Sequence, residues 1–215
     1  MNKFLFYSIL YINLINGMEP LFIQCPPLIT ATYGEDEESV ISLIKNGANL
    51  NERDIHGQTA CMYATHKNLQ RILNLVSSHD IIDMQDSNGS SALMYAAGTT
   101  SDAFSLIPDI LNYHPNVNLQ DRWGETALMI VVNKNISIAK CLLAQKANPN
   151  IQNNCEETAL MIAVQGNNYD GVLLLLEHGA DKNLINEDGK TALVLAREQR
   201  HPNSAIINLL YNFKS

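Results

Sequence analysis

Gln58-Thr59-Ala60-Cys61-Met62-Tyr63-Ala64 is a phrase the chain repeats. It returns as Ser91-Ala92-Leu93-Met94-Tyr95-Ala96, Thr126-Ala127-Leu128-Met129-Ile130-Val131, Thr158-Ala159-Leu160-Met161-Ile162-Ala163 and Thr191-Ala192-Leu193-Val194-Leu195-Ala196. The opening hydroxyls stand at 59, 91, 126, 158 and 191, steps of 32, 35, 32 and 33 residues. A fixed period of that size means stacked units, each burying its apolar face against its neighbours, rather than one closed core. Ahead of each phrase comes a turn: Asp54 to Gly57, Asp86 to Gly89, Asp121 to Gly124 and Asn186 to Gly189. Only Asn153 to Glu156 lacks the glycine.

Outward from the phrase, each unit follows one grammar. A hydroxyl that can cap exposed N–H groups opens a short first helix. A second helix follows, expected over Leu69–Val76, Ala103–Tyr113, Ile136–Leu143, Tyr169–Glu177 and Ala205–Leu210. Pro108 falls inside the second of these and should kink or restart it. An extended hairpin-type loop then leads to the next unit. In it Asn51, Asn118, Asn150 and Asn183 keep the period, Asp83 takes the slot once, and short polar side chains there bond local backbone. Upstream, Pro26-Pro27-Leu28-Ile29-Thr30-Ala31 opens a further unit, and the acids Glu35-Asp36-Glu37-Glu38 suit a helix's first turn. The prediction is an all-α solenoid of about six helix–turn–helix repeats with hairpin loops, near 26–52, 53–85, 86–120, 121–152, 153–185 and 186–215.

This grammar resembles the ankyrin repeat: Asp-x-x-Gly-x-Thr-x-Leu-x-x-Ala, a second helix ending in Leu-Leu, then Gly-Ala-x-x-Asn, clearest in Leu173 to Asn183. The resemblance covers about residues 26–215. It departs where the family's Pro after Thr is Ala and where its His after Leu is Met62, Met94, Met129, Met161 or Val194. Without that His, its bonds between neighbouring loops are missing and a looser stack is expected. The resemblance implies a concave face of loop tips and first helices that binds another protein. Carried over by position, the candidate partner-binding residues are Ile55, His56, Gln58, His66, Lys67, Asn88, Arg122, Trp123, Glu125, Asn154 and Cys155. Trp123 is the lone tryptophan and adjoins Arg122; both types are enriched in interface hot spots.

Composition narrows the function further. A net charge of −8 and no basic run speak against nucleic acid, whose phosphates need clustered Lys and Arg. Cys25, Cys61, Cys141 and Cys155 form no CxxC pair or zinc spacing, and Cys61 and Cys141 read as small core residues. Gly189-Lys190-Thr191 lacks the upstream glycine of a phosphate loop, and the histidines form no HExxH. The expectation is a non-enzyme: no cofactor, metal, catalytic residue, small-molecule substrate or membrane, but a monomer with a protein partner in a reducing cytoplasm. Secretion is the alternative. It turns on the N-terminal apolar segment, residues 1–25. Phe4 to Ile15 is too short for the ~20 residues of a spanning helix. Lys3, that run and Gly17 suit a cleaved signal. Ile9 to Gly17 equally matches Val40 to Gly47, as a degenerate capping helix would, and Met18 suits an alternative start.

Overall fold

A hydroxyl opens each first helix that carries the phrase, as the phrase predicts. Thr59, Ser91, Thr126, Thr158 and Thr191 each accept the amide three residues on, at 3.3–3.4 Å. The computed structural model describes residues 25–98 and 103–213; the expectations for residues 1–24 lie outside them. Unit by unit the helices are α1 (Pro27–Tyr33) and α2 (Glu37–Lys45), then α3 (Ala60–His66), α4 (Gln70–Val76) and α5 (His79–Ile82). There follow α6 (Ala92–Gly98) and α7 (Ile107–Leu111), α8 (Ala127–Val131) and α9 (Ile136–Ala144), α10 (Ala159–Gln165) and α11 (Tyr169–Glu177), and α12 (Ala192–Glu198) and α13 (Ser204–Asn212). Among the described residues there is no strand.

Two of these depart from the simple grammar. Ahead of Pro108 the chain runs as a 3-10 turn, Ala103–Leu106, and the α-helix restarts at Ile107. Proline has no N–H to give an upstream carbonyl, so the break falls where its sequence position predicts. The short helix α5 stands where other units carry the hairpin loop, since His79-Asp80-Ile81-Ile82-Asp83 replaces Gly-Ala-x-x-Asn. Asp83 still holds its slot, its Oδ1 accepting Asn116 N at 2.8 Å.

First helices pack in a row, α1 on α3, α3 on α6, α6 on α8, α8 on α10 and α10 on α12; second helices pack behind them. The row buries Cys61, Leu93, Leu128 and Leu160, together with Met62, Met94, Met129 and Met161, so the methionine stripe is core. Val194, in the same slot of the last described unit, is 38% exposed, with no further helix stacked on it among the described residues. Burial pushes the Cys61 thiol up to about 11, against a 3.3 Å contact with Ser77 Oγ. Cys141 corrects the sequence reading: it is exposed, because α9 turns Ile138, Ala139, Leu142 and Leu143 inward and leaves 141 outside.

Where the family's histidine is missing, a different row stitches the loops. Gln120 Nε2 donates to Gly124 O of its own turn (2.8 Å) and to Gln152 O of the next (3.0 Å). Gln85 reaches Gly89 O and Gln120 O, and Gln152 reaches Glu156 O and Ile185 O. Arg53 begins the row by donating to Gly57 O and Gln85 O. Further out, Asn118 Oδ1 accepts Asn148 N and Asn150 Oδ1 accepts Asp181 N, both at 2.7 Å, so these two of the periodic asparagines are structural.

Glu156 sits at φ +57°, where Gly57, Gly89, Gly124 and Gly189 hold the same turn at +72° to +76°. A Cβ in that region costs about 1–2 kcal/mol, partly offset by the extra freedom glycine has when unfolded. Glu156→Gly is therefore expected to raise stability by about 0.5–1 kcal/mol, read as a higher urea midpoint at unchanged m.

Candidate functional site

The fifth residue counted from the opening hydroxyl faces neither helix layer squarely. Tyr63, Tyr95, Ile130, Ile162 and Leu195 are all half-buried, forming a stripe of one residue per unit beside the loop tips. In the first units the stripe is aromatic and locked from behind. Tyr63 donates to Asp54 Oδ2 (2.8 Å), Tyr95 to Asp86 Oδ2 (2.6 Å), and Gln58 Nε2 donates to the Tyr95 hydroxyl. The aspartates are fixed in turn: Asp54 Oδ1 accepts His56 N and Gln58 N, and Asp86 Oδ1 accepts Asn88 N and Ser90 N. Burial, then the bond to Asp86, pushes the Tyr95 hydroxyl up to about 12, and burial with Asp54 raises Tyr63 likewise.

Around these posts lies a cleft of about 210 Å³, spanning the first three units. The Tyr33 and Tyr63 rings meet edge-on at 5.8 Å, and His66 meets Tyr95 edge-on at 5.9 Å. Lys67 Nζ stands 4.3 Å above the Tyr33 ring and 3.0 Å from Glu35 Oε1. Of the sequence-based candidates, Gln58, His66 and Lys67 come together here with Met62 at the base. The tyrosines were missed, although Tyr63 and Tyr95 stand in the phrase itself.

A second group gathers at the tips. Arg122 N donates to Asn88 O and Arg122 Nη1 to Asn88 Oδ1, both at 2.7 Å. The guanidinium carbon then lies 4.1 Å from the Trp123 ring centroid, and Trp123 is 50% exposed. Asn154 closes the chain, its amide on Trp123 O and its side-chain Nδ2 on Arg122 O, both 2.9 Å. Asn88, Arg122, Trp123 and Asn154 thus form one braced surface. Ile55 and His56 are exposed at the first tip, outside the cleft's lining, and Cys155 is exposed at the fourth. Glu125 is half-buried, and burial, with Asp121 and Glu157 nearby, raises its carboxyl against the pull of Lys134.

Among the described residues no His, Cys, Asp or Glu cluster is set to hold a metal, and no helix is long and apolar enough to cross a membrane. The family model for ankyrin repeats matches residues 28–109, 100–186 and 131–214. The ankyrin repeat protein YahD of Escherichia coli is 32% identical over 180 residues, 80% of this chain and 88% of that protein. The nuclear factor NF-kappa-B p105 subunit of Gallus gallus is 31% identical over 141 residues, 63% of this chain; the matched stretch spans only 14% of p105. Among solved structures, a chain from the complex of the Bdellovibrio bacteriovorus predatory endopeptidase Bd0816 with immunity protein Bd3460 superposes with a TM-score of 0.73. It is 27% identical, with 87% of this chain and 98% of that one covered.

Proposed function

The chain belongs to the ankyrin repeat family, and from that premise we propose that it is a non-catalytic module gripping one partner protein with its concave face of tips and first helices. Members of the family generally mediate protein–protein interaction. The observation that carries the reading for this chain is Trp123, half exposed yet held by Arg122 and, through it, Asn88. A large side chain that is already ordered loses little freedom on binding, so the contact it makes is not offset by ordering cost. Such a module acts as an adaptor or as an inhibitor that covers its target. The likeness to a chain from an endopeptidase–immunity protein complex supports the second. The four cysteines are free, two of them exposed, which supports a reducing compartment such as the cytoplasm over secretion.

The test is a phage-displayed peptide library panned on the folded chain. Trp123→Ala is expected to weaken selected binders by about tenfold or more. The helical circular-dichroism signal should persist and the stability loss should stay near 0.5–1 kcal/mol, the size of an exposed cation–π contact. Binding that survives the substitution removes the tip from the interface. A collapse in stability makes Trp123 a strut instead.

A further inference from the structure

We propose that the tyrosine cleft seats one apolar side chain of the partner together with an adjacent carboxylate, the carboxylate being held by Lys67 and His66. This rests on the protein-binding reading above and assigns it a second anchor, separate from the Trp123 tip.

Size sets the first limit. About 210 Å³ falls below the roughly 300–1,000 Å³ that a drug-sized ligand fills, so the cleft suits a single side chain rather than a cofactor. Its walls are Tyr33, Tyr63, Tyr95 and the sulfur-bearing Met62, which favour an aliphatic or aromatic group. Because Asp54 and Asp86 hold two of the three hydroxyls, those walls are fixed before a ligand arrives.

Charge sets the second. The lining includes Lys67 and His66 and no carboxylate. Asp54 and Asp86 lie behind the tyrosines, each taking two backbone amides and one hydroxyl. The ring nitrogens of His66 make no hydrogen bond among the described residues, and the residue is exposed. Lys67 shares one ion pair with Glu35, whose side chain is 57% exposed, and so retains N–H groups for an incoming acid. The chain's overall charge of −8 opposes an acidic ligand at a distance, where screening over about 8 Å at physiological salt weakens it; the nearby acids Glu35, Asp54 and Asp86 are each already engaged by donors. At contact the N–H donors of Lys67 and His66 face the ligand.

The test uses the full chain carrying ¹³C-methyl methionine and the capped peptide acetyl-Gly-Ser-Phe-Glu-Ser-Gly-amide. The Met62 methyl signal is expected to shift saturably, with a Kd in roughly the millimolar range expected of one small anchor. Replacing the peptide's Glu by Gln or Lys, or its Phe by Ser, should weaken binding about tenfold. Lys67→Met should shrink the preference for Glu over Gln and Lys67→Met with His66→Ala should erase it, while Trp123→Ala should change nothing at this cleft. A Lys-bearing peptide that binds as well as the Glu peptide overturns the charge assignment, and an absent shift overturns the cleft. If library-selected peptides bind the chain yet none moves the Met62 signal, the protein-binding function stands and this anchor falls.

Discussion

Gly124→Ala will cost about 3 kcal/mol and Gly189→Ala about 1 kcal/mol, although both glycines hold the same turn at φ +76° and +72°. The shared part is backbone strain, about 1–2 kcal/mol for an L side chain in the left-handed region, less the entropy lost by the unfolded chain. The difference is the neighbour. A Cβ on Gly124 would lie 2.8 Å from both Asn154 N and Asn154 Oδ1, and 2.9 Å from Asn153 Cα; a Cβ on Gly189 meets nothing within 4 Å. Backbone cannot swing away as a flexible side chain can, so the next tip must move. That motion pulls on the Asn154 N to Trp123 O bond (2.9 Å) and on both Gln120 contacts. In a stack the stability is a sum of unit terms and nearest-neighbour terms, and Gly124→Ala strikes a neighbour term. Its urea transition should therefore lose steepness, as the units on either side of residue 153 begin to unfold separately, while Gly189→Ala shifts the midpoint with m unchanged. Equal losses for the two variants would show that the tips are not in load-sharing contact.

That contrast marks the boundary of what the sequence makes legible. The period, the hydroxyl caps and the break at Pro108 are local properties, written in the identity of one residue and its near neighbours, and they appear where the sequence puts them. Asn118 and Asn150 bond neighbouring loops as their slot implies. The row of Arg53, Gln85, Gln120 and Gln152 kept the period equally well and was overlooked, because long polar side chains in loops look like solvated filler until the next turn's carbonyl is beside them. Cys141 was misplaced because the apolar run around it is wider than the face that α9 buries. The cleft is harder still. Tyr33, Tyr63 and Tyr95 come from three units, and only their stacking turns separate rings into one wall. Gln58, His66 and Lys67 were named by position, without the tyrosines that give them a common site.

The tyrosines also explain a choice in the turns. Asp86 is 7% exposed and holds three donors: Asn88 N (2.8 Å), Ser90 N (2.9 Å) and the Tyr95 hydroxyl (2.6 Å). In the unit whose stripe residue is Ile162, Asn153 fills the slot and its Oδ1 accepts the same two amides, from Cys155 and Glu157. An amide oxygen suffices for two amides; a phenol above it calls for a second acceptor, which only the carboxylate has. Asp121 opposite Ile130 shows that the acid is tolerated without the phenol. Asp86→Ala strands all three donors and is expected to cost about 3 kcal/mol. Asp86→Asn keeps the turn but sets its NH₂ against the Tyr95 O–H, at a cost near 1 kcal/mol. Tyr95→Phe alone leaves both the carboxylate oxygen and Gln58 Nε2 without a partner and should cost about 1–2 kcal/mol. Combined, Asp86→Asn and Tyr95→Phe recreate the pairing of Asn153 with Ile162, and the double variant should be more stable than the sum of its parts by about 1 kcal/mol. Urea midpoints of the four proteins close the cycle. A coupling of zero would mean that the phenol and the acid merely lie side by side, and the rigid wall of the cleft would lose its physical basis.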